Sequence, residues 1–223
     1  MAVILSIETS TTVCSAALHK KGEMLAYEEL LTPQSAASQL VVQIDKLFSK
    51  TGISKQKLDA VAVAKGPGSY TGLRIGVATA KGICFGLRIP IIGIDSLWVV
   101  AAGVASHSSE LLCPMIDARR MEVYCTVLNR NFEVVEKTQA KVIDEQSFAD
   151  HLAKHSILFF GNGAGKCQEV ITHPHAHFLD HVISSARHMG KLAYDSYSQH
   201  RFDDVIGIEP NYLKEFKAKT KMA

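Results

Sequence analysis

No run in this chain is long and apolar enough to cross a bilayer: residues 97–105 fall well short of the roughly 20 residues a spanning helix needs. The first ten residues place nothing basic ahead of their apolar positions, and Glu8 interrupts these, so neither a signal peptide nor an anchor is expected. Paired cysteines are lacking too. Cys14, Cys84, Cys113, Cys125 and Cys167 are odd in number, far apart and never form a C-x-x-C pair, so they read as reduced core thiols of a cytoplasmic protein. A charge of one sign is also missing. Lys plus Arg number 24 against 22 for Asp plus Glu, a net charge of +2, so no overall field directs the chain to a membrane or to nucleic acid.

What is present suits two small lobes: 223 residues, 47% of them hydrophobic. The first ten residues hold an apolar strand, 3–7, followed across short polar turns by strands at 13–19 and 24–30, with Lys21-Gly22-Glu23 as a hairpin tip. A helix is expected to end at Phe48, with Ala37, Leu40, Val41, Ile44, Leu47 and Phe48 on one stripe and Gln39, Gln43, Lys46 and Lys50 opposite. A strand at 58–64, a glycine loop, a helix to Phe85 and a strand at 89–94 complete the first unit.

Near Leu111 the plan restarts. LLCPMIDARRMEVYCTVL lies over AVILSIETSTTVCSAAL, with Asp117 falling on Glu8. Strands at 133–138 and 157–160, a helix at 145–155 and the loop GNGAGK follow in the same order. Two tandem units of βββαβα order, residues 1–106 and 107–223, predict an α/β protein of two actin-like (ribonuclease H-like) lobes, each around a mixed sheet. A last helix is expected within 184–201, able to cover either lobe, ahead of a lysine-rich tail.

The most informative segment is AKGPGSYTGLRIGVATAKG, residues 64–82: a glycine loop opening a helix that keeps Gly72, Gly76 and Gly82. Each interior glycine costs about 1 kcal/mol relative to alanine, a cost that close backbone packing would have to offset. Gly72, Gly76 and Ala80 form one i, i+4 row, which reads either as a seam for another macromolecule or as contact with the lobe's own sheet.

In a duplicated fold of this kind phosphates lie between the lobes. Thr9, Ser10 and Thr11 with Gly66, Gly68, Ser69 and Thr71 offer hydroxyls, turn amides and a helix N-terminus that suit an anion, although Ser and Thr are also ordinary turn residues. Arg119 and Arg120 in the second copy suit an anion, tRNA or a solvated turn. Neither glycine loop is a Walker A motif. No Lys-Ser/Thr pair follows the first, and GNGAGK is followed by Cys167. The ten histidines form no metalloprotease motif, and no nucleophile elbow can be found, so no catalytic or metal-binding residue is assigned.

ILSIETSTTVCSAAL, GPGSYTGLRIGVATAKG, IDARRMEVY and EPNYLK, in this order, closely resemble the bacterial TsaB (YeaZ) family, over most of the chain. The resemblance implies a two-lobed protein without transfer activity of its own, which supports a catalytic paralogue, TsaD. That assembly, aided by the ATPase TsaE, attaches a threonylcarbamoyl group to adenosine at position 37 of tRNAs reading codons that begin with A. It also implies docking through residues 35–48 and 71–85, to TsaD or, without it, to a second copy. Ser38, Val42, Asp45, Gly72, Arg74, Ile75, Gly76, Thr79, Ala80 and Ile83 are the expected contacts. No tightly bound cofactor is implied, with ATP or ADP expected only at the partner interface. The alternative expectation is an ATP-using enzyme of the actin or sugar-kinase class.

Overall fold

The computed structural model of the chain describes residues 2–31, 36–104 and 109–214. The first lobe runs β1 (Val3–Glu8), β2 (Cys14–Lys20), β3 (Glu23–Leu30), α1 (Ala36–Thr51), β4 (Ala60–Gly66), α2 (Tyr70–Leu87) and β5 (Ile91–Asp95). After α3 (Ser96–Ala102), the second lobe adds β6 (Leu111–Asp117), β7 (Glu122–Asn129), β8 (Val134–Val142), α4 (Ala149–Leu152), β9 (Ile157–Phe160) and β10 (Ala176–Leu179). The chain then enters α5 (Gly190–Ser198).

The sheets are ordered β3-β2-β1-β4-β5 and β10-β9-β6-β7-β8. β1 pairs antiparallel with β2 and parallel with β4. β6 repeats this with β7 and β9. β1 and β6 thus occupy the same place, and Glu8 and Asp117 end equivalent strands, as their alignment in the sequence implies. The architecture is the actin-like α/β fold of two mixed five-stranded sheets.

Burial explains why the central strands read as apolar runs. In β1 every residue after Val3 is buried, because both faces of the sheet are covered. On one face α1 and α2 close a core of Leu5, Ile7, Leu40, Leu47, Val61 and Val77. On the other, Ile4, Ala62 and Ile92 meet Ala186, Met189 and Ala193. Residues 184–208 therefore belong by packing to the first lobe, although they follow the second in sequence.

Several elements, β10 among them, differ from the sequence expectation. α3 overlaps the apolar run that starts at Leu97, and its Leu97, Val100 and Ala101 pack on Leu112, Ile116, Leu158 and Phe160. Five of its seven residues are buried because it is the joint between lobes. The expected helix at 145–155 shortens to α4, since Ser147 Oγ donates to Asp144 Oδ1 and accepts from its backbone N–H, closing a turn first. The second lobe's counterpart of α2 is only a 3-10 turn, Gly165–Cys167. All five cysteines are free and buried, and no described helix is long and apolar enough to cross a membrane.

Candidate functional site: a helix groove and an interlobe cleft

α2 begins with Ser69 as N-cap, its hydroxyl accepting from the Gly72 N–H at 3.3 Å. Its glycines fall into two sets. A Cβ at Gly72 would collide with the Thr9 carbonyl oxygen, one at Gly76 with Thr9 Oγ1, and one on the preceding loop at Gly68 with the Ser10 carbonyl. The Thr9 hydroxyl donates to the Gly72 carbonyl at 2.7 Å. Gly82 and Gly86 have nothing within 4 Å of such an atom.

The row expected to form a docking seam is therefore turned inward. Gly72, Gly76 and Ala80 are buried, and their closeness serves the contact between α2 and the turn after β1. Ile75 packs half-buried against the same core. Arg74 leaves the surface seam as well: its Nε donates to Tyr212 Oη at 3.1 Å, and its guanidinium lies 4.2 Å from the Tyr70 ring centre.

The open surface lies on the other flank of α2. A groove of about 1080 Å³ runs between α1 and α2, lined by Val41, Val42, Thr79, Gly82, Ile83 and Gly86. Val41 is 62% exposed, Val42 44% and, near the end of α2, Phe85 76%. Lys50 pairs with Glu28 at 3.3 Å, and Lys55 with Asp45 at 2.6 Å, giving the apolar floor a charged rim. Of the expected contacts, Val42, Asp45, Thr79 and Ile83 line this groove. Residues 32–35 and the side chain of Ser38 lie outside the described residues.

Of the stripe expected on α1, Leu40, Ile44, Leu47 and Phe48 are buried, and two positions depart from it. Val41 faces out, while Gln43, expected on the polar side, is buried, with the Cys14 thiol 3.9 Å from its carbonyl oxygen. An exposed pair of valines on a helix that buries a glutamine is the signal that periodicity alone did not separate from the core.

The second concavity, about 880 Å³, lies between the lobes. It brings together Ser10, Thr11, Gly68, Ser69 and Thr71 from the first lobe with Arg119 and Arg120 from the second. Thr9 and Gly66 do not line it. Thr9 lies beneath α2, and a Cβ at Gly66 would press on the Asn211 backbone. Arg119 and Arg120 are exposed, in a turn whose backbone is left-handed at both positions, with φ of 69° and 51°. Lys166 Nζ fastens that turn, donating to the Arg120 and Glu122 carbonyls at 2.6 and 2.8 Å and pairing with Asp117.

Glu8 is fully buried behind the cleft. Burial pushes its carboxyl up, only partly countered by the Ser10 N–H, from which its Oε1 accepts. Its Oε2 and Ser10 Oγ reach no hydrogen-bond partner among the described residues. No three His, Cys, Asp or Glu side chains cluster to suit a metal among the described residues. Asn211, Tyr212 and Lys214 also line the cleft, unforeseen in the residue-by-residue reading.

A family model described as TsaD, tRNA N6-adenosine threonylcarbamoyltransferase, matches residues 31–220. A relative named tRNA threonylcarbamoyladenosine biosynthesis protein TsaB, from Haemophilus influenzae, is 29% identical over 95% of this chain and 93% of its own. The Bacillus subtilis protein of the same name is 28% identical over 98% and 96%. Among solved structures, YeaZ from Pseudomonas aeruginosa shares the fold with a TM-score of 0.82 at 24% identity, covering 96% of this chain and 100% of that one. With a family model spanning most of its length and relatives of one name matching end to end, the chain belongs to the threonylcarbamoyltransferase-related family of that model, as a member of the TsaB (YeaZ) type.

Proposed function

We propose that this protein is a non-catalytic partner subunit in the formation of threonylcarbamoyladenosine in tRNA, and that it acts by heterodimerising with a TsaD-type transferase through α1 and α2. The observation that carries the reading is the groove: an apolar floor containing Val41, Val42 and Ile83, left open between two helices and rimmed by ion pairs, the arrangement of an interface core with a polar rim. The name its relatives carry supplies the pathway. A helix pair with two unobstructed glycines, Gly82 and Gly86, also lets a partner helix approach closely. Without the transferase, the same face would pair with a second copy of the chain.

In this reading a TsaE-type ATPase and tRNA reach the protein only through the complex, and ATP or ADP enters only at the shared interface. The position of Glu8 supports it, since this acid lies buried behind the cleft rather than along its walls. The test is sedimentation of the chain alone, with the transferase, and with the transferase plus ATP, alongside calorimetry with ATP. Complex formation with nucleotide binding only in the mixture is expected. Nucleotide binding with turnover by the isolated chain would favour the ATP-using enzyme instead.

A further inference from the structure

The last described residues run from one lobe to the other. Asp203 anchors the run at the edge of the first sheet, its carboxylate accepting from Lys65 Nζ at 2.8 Å and from the Gly93 N–H at 2.7 Å. Ile208 is buried in the first core, and Lys81 Nζ holds the carbonyls of Ile206 and Ile208 at 2.6 and 3.1 Å. The Asn211 N–H donates to the Lys65 carbonyl. Next, the Tyr212 ring lies 4.8 Å from that of Tyr70 at the start of α2, with Arg74 on its hydroxyl. Lys214 Nζ then pairs with Glu122 at the start of β7, in the second lobe. Tyr70, Arg74 and Lys81 thus form a row along α2 that holds the segment on the flank away from the groove.

We propose that the interlobe cleft is a docking site for this chain's own residues 211–214, which act as a releasable latch between the lobes. Two features make release feasible. The crossing contact is an ion pair whose side chains are 39% and 22% exposed, open to competition by salt or by another charged group. The segment also lacks helix or strand pairing over these residues, so its hold rests on the contacts just named. Lys214 stands with Arg119 and Arg120 along one cleft. An anionic ligand or an acidic segment of a partner that engages the two arginines would compete with Glu122 for the lysine, and so loosen the latch. This inference does not rest on the groove or on the proposed partner.

Hydrogen exchange of the whole chain tests it. Lys214→Gln removes only the crossing contact, and Tyr212→Ala with Lys214→Gln removes both. The expected result is faster amide exchange, about two- to fivefold, in residues 118–123 of the second lobe for both variants, and also in residues 68–73 for the double variant. Raising salt should move the unmodified protein in the same direction at 118–123. Unchanged protection of 118–123 in Lys214→Gln and at high salt would overturn the latch, whatever happened in the first lobe. Should the double variant exchange faster even in β1 and β4, through general loss of structure, the single variant alone decides.

Discussion

Two alanine substitutions in one helix should move stability in opposite directions. At Gly82 the added methyl meets nothing within 4 Å, so Gly82→Ala should gain the helix-propensity difference, about 1 kcal/mol. At Gly72 the same methyl collides with the Thr9 carbonyl oxygen, a backbone atom that cannot swing aside as a flexible side chain would. Overpacking of this kind costs about 1–3 kcal/mol, and displacing Thr9 also weakens its bond to the Gly72 carbonyl, worth about 1 kcal/mol. Against the propensity gain, Gly72→Ala should still lose about 1–3 kcal/mol. The two variants should then differ by roughly 2–4 kcal/mol, or on the order of 5–10 °C in melting midpoint at this size. Urea titration and thermal melts of both variants, side by side, measure it. A Gly72→Ala protein as stable as Gly82→Ala would refute the inward reading of the glycine row and restore that row to the surface.

Three further outcomes follow from buried groups. Asp95 caps α3, accepting from the Leu97 N–H at 2.8 Å, and burial raises its carboxyl to about 6. A raised acid gives stability that is complete below its unfolded value of 3.8 and lost as pH rises through about 6. Asp95→Asn keeps a capping oxygen and loses no charge-burial energy, so denaturant titrations should find it gaining on the unmodified protein as pH rises from 4 to 7, by up to about 3 kcal/mol. His19 lies between Ser6 Oγ, 3.0 Å from its Nδ1, and the Arg187 carbonyl, and burial lowers its pKa. Such a group gives stability that is present above its ordinary value of 6.5 and lost as pH falls below it, so His19→Gln should flatten the acid side of the stability profile. Gly190→Ala would press on the Gly22 carbonyl and the His19 ring, and should cost about 1–3 kcal/mol by urea titration.

How much could be read from the letters is clearest residue by residue. The 157–160 strand and the equivalence of Glu8 with Asp117 followed from apolar runs bounded by turn residues, because a strand buried on both faces has little other pattern to show. α3 was invisible for the same reason: a helix buried between two lobes loses the polar stripe that marks its period. The glycine row was recognised as a place of close approach, yet small size reports only that something comes near. That the neighbour is Thr9, 63 residues back in the sequence, is a fact of topology. Gly82 and Gly86, on the same helix, stand in open space, and no local pattern separates them from Gly72. In the cleft, Ser10 to Thr11 and Arg119 to Arg120 were each legible as turns. Their meeting follows from the duplicated plan, whereas the arrival of Tyr212 and Lys214 required the return of the chain to the first lobe.

The central claim, that the groove between α1 and α2 receives a TsaD-type transferase, is tested most directly by the affinity of that complex for Val42→Glu. Val42 is 44% exposed, so the fold should persist, as circular dichroism can verify, while a charge enters the apolar floor of the groove. Sedimentation or calorimetry should record a loss of at least about tenfold, the fold-change of roughly 1.4 kcal/mol, against unchanged affinity for the cleft variant Arg119→Ala. Undiminished binding by folded Val42→Glu would contradict the account.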